Sequence, residues 1–211
     1  MRPVRVARRA QAGFTLTEAL IALAIIGNLL ALGIPNMSAW LQASRASAAS
    51  EFYAEGFKLA RAEALKHNSA SRILLTENAN GQMDWQVDLC FPSAALACGE
   101  ETGAWSTQAA SAALDPNGAA GFKSVFRAAD GLPDSTTMAR ALSPPGATDV
   151  YFTSLGWVDT AFAPRLRRID LSSAYGHAGA FAASAVVITL AGLTAKCEPN
   201  VAASDFRACP P

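Results

Sequence analysis

Residues 19–34 contain one strongly polar side chain, Asn28, and no charge appears after Glu18 until Arg45. No other feature limits the fold of this chain as much. The run from Ala19 to Trp40 is 22 residues long, which as a helix spans about 33 Å. The hydrocarbon core of a bilayer is ~30 Å thick. Such a segment is apolar on every side and has to be covered, by lipid or by other helices. Residues 1–13 carry Arg2, Arg5, Arg8 and Arg9 and no acid. By the positive-inside rule this predicts a single pass, with the N-terminus in the cytoplasm and the rest of the chain across the membrane.

Two readings follow from these features alone. The run is the core of a cleaved secretory signal, with a small-x-small site such as Ala31-Leu32-Gly33, or it is a plain signal anchor. Glu18 opens a third. A carboxylate costs ~2.5–3.5 kcal/mol at the centre of a membrane helix and less near the interface, so a charge at the mouth of the run implies a partner. Cleavage between Gly13 and Phe14 places a new α-amino group four residues from Glu18. An ammonium on a neighbouring copy could neutralise the carboxylate within the apolar layer.

Gly13-Phe14-Thr15-Leu16-Thr17-Glu18 followed by an apolar stretch resembles the type IV prepilin signature. The resemblance implies that prepilin peptidase cuts after Gly13 and methylates Phe14. It further implies that Glu18 helps each subunit dock into a growing filament. Pro35 matches the family's helix-bending proline, where a missing amide donor loosens the helix. Asn28 departs mildly from the pattern, either as an interhelical hydrogen-bonding group or as a tolerated polar residue.

Beyond Trp40 the helical pattern becomes amphipathic. Ala46, Ala49, Tyr53, Phe57, Ala60 and Ala64 form one narrow stripe at 100° per residue, with Phe52 and Leu59 beside it. This is the pattern of a helix packed on a sheet, with Arg61 and Glu63 at its surface or packing edge and Asn68-Ser69 at its end. The run 59–68 with its Ala60-Arg61-Ala62-Glu63-Ala64 core, followed by Ile73-Leu74-Leu75, looks like the FimT/GspH branch of the pilin superfamily. That match covers about the first 75 residues and is only scattered afterwards.

Strand candidates lie at 72–76, 83–89, 122–127, 149–153, 167–172 and 185–190, with a hairpin loop at 78–81 and a further short piece at 156–158. Residues 99–120 are rich in Ala, Ser and Gly without periodicity and read as a long surface insertion. The expected organisation is a cleaved leader at 1–13, a helix at 14–67 with its transmembrane part at about 14–41, and a periplasmic β-rich domain at 68–211. The expected fold class is α+β, a long N-terminal helix packed on an antiparallel β-sheet in a pilin-like roll.

Four cysteines lie beyond the apolar run, and four thiols allow three pairings. In an oxidising compartment disulfides persist. The simplest set is local, Cys90–Cys98 and Cys197–Cys209. Spacings of eight and twelve positions without a CxxC do not resemble zinc ligation, so no metal is expected.

No cofactor and no catalysis are expected. His67 sits near a helix end and His177 in a Gly/Ala-rich loop, without a recognisable base–nucleophile set. Asp84 and Asp88 share one side of a strand at period 2 and read as a solvated face. Nucleic acid is the competing partner. Some FimT-like minor pilins grip DNA, and the resemblance implies a G-R-x-R pattern before a cysteine. Here Gly192 and Cys197 stand, but Leu193 and Ala195 replace both arginines, leaving Lys196 as the one basic residue. Arg165, Arg167 and Arg168 form the one basic cluster of the body and the substitute patch, or else a solvated strand edge. The chain has 17 basic and 17 acidic groups; without residues 1–13 it has 13 and 17, a net charge of −4, which disfavours phosphate binding.

The resemblance therefore implies a structural subunit, a minor pilin that assembles or initiates a type IV pilus. Its partners would be other pilins, through the N-terminal helix, prepilin peptidase and the inner membrane. The alternatives are a type II secretion pseudopilin of the GspH kind, a DNA-binding minor pilin for natural transformation, and an unrelated secreted domain.

Overall fold

The computed structural model describes residues 15–99, 105–176 and 179–210; within the first helix the side chains at 32, 35, 36, 38 and 39 lie outside this set. Helix α1 (Leu16–His67) is followed by β1 (Ala70–Glu77), β2 (Met83–Cys90), a 3-10 turn (Gly118–Ala120), β3 (Val125–Arg127), β4 (Met138–Ser143), β5 (Asp149–Phe152), β6 (Arg168–Ser173), β7 (Ser184–Ile188) and β8 (Thr194–Cys197). The chain divides into two compact units, Met1–Trp40 and Leu41–Pro211. The second holds the packed core.

Within that unit the helical stripe is the buried face. Ala46, Ala49, Tyr53, Phe57, Ala60 and Ala64 are all buried, and Phe52 and Leu59 are partly buried beside them. Most of these residues are small, so the helix approaches the sheet closely. At Gly56 an added Cβ would lie 2.7 Å from Ile73 Cδ1 and 3.0 Å from Trp85 Cδ2. Side chains of the sheet donate to helix carbonyls. Trp85 Nε1 bonds to the Phe52 carbonyl at 3.0 Å and Ser71 Oγ to the Ala60 carbonyl at 2.6 Å.

The helix stops through its own chemistry. Asn68 adopts a positive φ of 46°, a conformation Asn tolerates better than most residues. Ser69 N–H then returns to the Ala64 carbonyl and Asn68 N–H to the Leu65 carbonyl. This is the Schellman pairing, which satisfies carbonyls that the last turn would leave open. Arg61 is a packing-edge group, its Nε donating to the Gly156 carbonyl at 3.1 Å, and Glu63 pairs with Lys66 and lies 3.2 Å from His67.

The expected α+β layout holds, with the antiparallel β part divided into two sheets. Eight strands form two four-stranded antiparallel sheets, ordered β3-β2-β1-β5 and β4-β6-β7-β8. Strands β4 and β8 carry no sequence signal of their own. Met-Ala-Arg-Ala-Leu-Ser in β4 favours a helix by propensity, and β8 has only four residues. Each is defined by its partner across the ladder. Residues 156–158 make only a bridge, Phe152 to Val158. The hairpin at 78–81 turns on Asn78, whose Oδ1 accepts from the N–H groups of Asn80 and Gln82, and on Gly81 at φ 69°.

Period-2 alternation gives each sheet one apolar face. Ile73, Val87 and Val150 align in register in the first sheet, and Ile169 and Val186 in the second. All five are buried in the core that includes the helical stripe. A buried polar group ties the three elements together. Gln82, fully buried, donates from Nε2 to the Met138 carbonyl at 2.9 Å and accepts from the Tyr53 hydroxyl at 3.2 Å. The same hydroxyl accepts from Met83 N–H at 3.1 Å.

The insertion is also corrected, because part of it is built into the domain. Ser106 N–H donates to the Leu89 carbonyl, Leu89 N–H donates back to Ser106 Oγ, and Ser124 N–H reaches the Thr107 carbonyl. Asp115 is buried and its carboxylate accepts from the N–H groups of Asn117 and Phe122. These hydrogen bonds supply what an Ala/Ser composition cannot supply by burial.

Burial pushes the Tyr53 phenol above its ordinary value of 10.0. The folded chain therefore keeps this proton where the unfolded chain loses it. Its contribution is complete below about pH 10 and declines as the pH rises further. Urea titrations between pH 8 and 11 should show that decline. Tyr53→Phe should flatten it while lowering stability at neutral pH by about 1–3 kcal/mol, through the loss of both hydroxyl hydrogen bonds.

Candidate functional site

The expected processing residues Gly13 and Phe14 lie outside the described residues. The described chain opens at Thr15, which is the helix N-cap. Its Oγ1 accepts from Glu18 N–H at 3.2 Å, and its carbonyl accepts from Ala19 N–H at 3.1 Å. Thr15-Leu16-Thr17-Glu18 is thus also an S/T-x-x-E start signal, which the reading of Glu18 as an assembly residue alone overlooks. The two roles are compatible. A carboxylate in the first turn is favoured by the helix dipole, and Glu18 is exposed with no ion pair among the described residues.

From Leu16 to Trp40 every described large apolar side chain is more than half exposed. Leu20, Ile21, Leu23, Ile25 and Ile26 together lie on all sides of the axis, so this stretch has no polar face to turn to water. Asn28 is no exception, because its Nδ2 donates to the Ala24 carbonyl of its own helix at 2.8 Å. Residue 35 lies within α1; the Pro35 side chain is outside the described set. Among the described residues no helix is long and apolar enough to cross a membrane. The run read from the sequence, 19–40, includes the five side chains outside that set.

The cysteines come together in two local pairs, Cys90–Cys98 with S–S 2.02 Å and Cys197–Cys209 with S–S 2.12 Å. The first closes the exit from β2. The second ties the last described segment to β8, beside a hydrogen bond from Glu198 N–H to the Arg207 carbonyl.

The four candidate nucleic-acid residues do not form one patch. Arg168 shares a row with Val187 and Ala195, whereas Lys196 is one row further on, with Val186. The two therefore leave opposite faces of the sheet. Arg168 Nε bonds Asp170 at 2.8 Å. Lys196 pairs with Glu51 of α1 and holds that carboxyl below its ordinary range. Arg165 and Arg167 remain without an ion pair among the described residues.

The carboxylates Asp84 and Asp88 do share a face, but neither is a solvated group. Asp88 is buried and bonds Arg72 at 2.9 Å and Gln86 at 2.8 Å. Arg72 also lies 4.3 Å above the Trp105 ring. Asp84 accepts from Asn78 and from Ala129 N–H. Both are structural. His67 packs edge-on against Phe91 and Phe122, and His177 lies outside the described residues. Among the described residues no group of three or more His, Cys, Asp or Glu is placed to hold a metal ion.

Residues 8–34 match the prokaryotic N-terminal methylation motif, the prepilin-type signal. The motif indicates a type IV pilin-like or pseudopilin-like protein and points to a structural role. The long N-terminal helix packed on antiparallel sheets is an α+β layout consistent with a pilin fold. No curated protein and no solved structure matches the chain.

On loop-entropy grounds each cystine contributes about 2–3 kcal/mol. Replacing Cys197 and Cys209 by Ala should lower the stability of the processed protein in detergent micelles by that amount. It should also make the chain beyond β8 the first site of limited proteolysis.

Proposed function

We propose that this protein is a minor pilin, a structural subunit that assembles or initiates a type IV pilus. The observation that carries the reading is the coincidence of the methylation motif at 8–34 with a helix apolar on all sides and exposed from Leu16 to Trp40. A signal peptide that is discarded has no use for a helix running on into the folded domain. A subunit that passes from membrane to filament does, because lipid first and neighbouring helices afterwards cover the same surface.

In this proposal prepilin peptidase cuts after Gly13 and Phe14 is methylated. The helix crosses the inner membrane once, N-terminus inward, with the β domain in the periplasm. Pro35 loosens the helix, and the packing around it is non-directional. Glu18 supplies registry, since a carboxylate in an apolar layer is tolerated only beside a cation. The neighbour's methylated α-amino group is that cation.

A type II secretion pseudopilin of the GspH kind uses the same devices, and the Ala60–Ala64 helix end supports that branch equally. Deleting the gene in the source organism separates the two. Loss of sheared surface pili with normal secretion, restored by the wild-type gene, is the expected result; normal pili with lost secretion would assign the chain to the secretion system. DNA binding is the weaker reading, because Arg168 and Lys196 are compensated and on opposite faces. A low-salt gel shift should show no retardation. Retardation that disappears when Arg165, Arg167 and Arg168 are replaced by Ala would reverse that ranking.

Glu18→Ala should leave cleavage after Gly13 intact, read by N-terminal sequencing. Its recovery in sheared filaments should fall about ten-fold or more, equivalent to about 1.4 kcal/mol of docking energy. Wild-type recovery would remove the registry role.

A further inference from the structure

Two turns at the C-terminal end of α1 are built alike. Gly156 N–H bonds the Thr153 carbonyl and Gly192 N–H bonds the Thr189 carbonyl, while Thr153 and Thr189 donate to the carbonyls of Trp157 and Leu193. Both glycines have positive φ, 71° and 73°. The turns touch. A Cβ on Gly192 would stand 2.1 Å from the Gly156 carbonyl oxygen, and one on Gly156 would stand 2.9 Å from Leu65 Cγ. Arg61 Nε caps the same Gly156 oxygen, and Val158 N–H bonds the Leu190 carbonyl. These touching turns carry four exposed apolar side chains: Leu155 at 65%, Trp157 at 60%, Leu190 at 57% and Leu193 at 55%. Large apolar side chains exposed together on adjoining turns are candidates for cover by a partner.

Beside this ridge, and sharing Leu190 with it, is a cavity of about 310 Å³ lined also by Val158, Arg165, Arg167 and Pro210. Leu166 between the arginines is buried. Both arginines line this one cavity. Neither has an ion pair among the described residues, and Arg165 Nε is buried without an acceptor. A buried donor left open costs stability until an acceptor arrives. A guanidinium fork matches a carboxylate in two hydrogen bonds.

We propose that this ridge and pocket form one docking surface for a protein segment that presents a carboxylate beside apolar side chains. The two charges, uncompensated among the described residues, set the sign of the partner, and the apolar ridge sets its class. Nucleic-acid surfaces are polar, and their single strands stack on aromatic rings. Three of the four ridge residues are leucines, which offer no stacking face. The inference is independent of the processing signal and of what Glu18 does.

The test replaces Leu193 by a photo-reactive phenylalanine in the full-length chain, expressed in the source organism, with crosslinked peptides mapped by mass spectrometry. The expected product is a protein segment with Asp or Glu next to apolar residues. Its yield should fall about ten-fold or more when Arg165 and Arg167 are both replaced by Gln, with unchanged thermal unfolding as the fold control. If the double variant unfolds, Trp157→Ser in its place should give the same loss. Crosslinks to nucleic acid or lipid, to a segment without an acid, or in a yield that ignores the arginines would overturn the proposal, as would no crosslink at all.

Discussion

The domain depends on how closely α1 can lie against its sheets, and that closeness is set by the small side chains of its buried face. Alanines at 46, 49, 60 and 64 and glycine at 56 bring sheet side chains within reach of the helix backbone. Trp85 and Ser71 can then donate to its carbonyls. Where the stripe carries a large residue, Tyr53, it is used as a connector. Its hydroxyl meets Gln82 and Met83, and Gln82 continues to Met138 of the second sheet. A polar group buried this deeply is tolerable because each of its hydrogen-bonding ends is matched. Satisfied in this way, it fixes one arrangement of helix and sheets among those a purely apolar core would allow.

The same helix carries two kinds of surface. From Ala46 onward its apolar face is closed by the chain itself. From Leu16 to Trp40 its described side chains are exposed, and the hydrophobic effect favours covering such a surface. Folding of the domain and association of the N-terminal unit are thus separate problems set on one continuous element. Under the proposed function Glu18 belongs to the second. It stands in the first helical turn, where its N–H is capped by Thr15 Oγ1, and in the proposed filament its carboxylate is left to find a cation.

Much of this was legible in the sequence. The helical stripe, the hairpin at Asn78, the helix end at Asn68 and the strands carrying Ile73, Val87, Val150 and Ile169 all follow from periodicity and turn chemistry. What escaped reading depends on long-range pairing. β4 looks helical until β6 lies beside it, and β8 is too short to announce itself. The split into two sheets is a property of the ladders and not of any strand. From the sequence Asp88 reads as solvated, because period 2 gives the face and not what covers it. Arg72 and Trp105, distant in sequence, do the covering. The scattering of Arg168 and Lys196 to opposite faces was hidden for the same reason, since clustering in sequence says nothing about parity across a sheet.

The tie between Cys197 and Cys209 has a mechanical consequence. It joins an edge strand to the last described segment, which elsewhere is held to the strand by the Glu198–Arg207 hydrogen bond and ion pair. Hydrogen bonds at an edge yield one at a time, like a zip, when the end of a chain is pulled. A covalent tie obliges the load to pass into β8 and across the whole ladder at once, where bonds are sheared in parallel. A domain fastened in this way resists peeling from its C-terminal side.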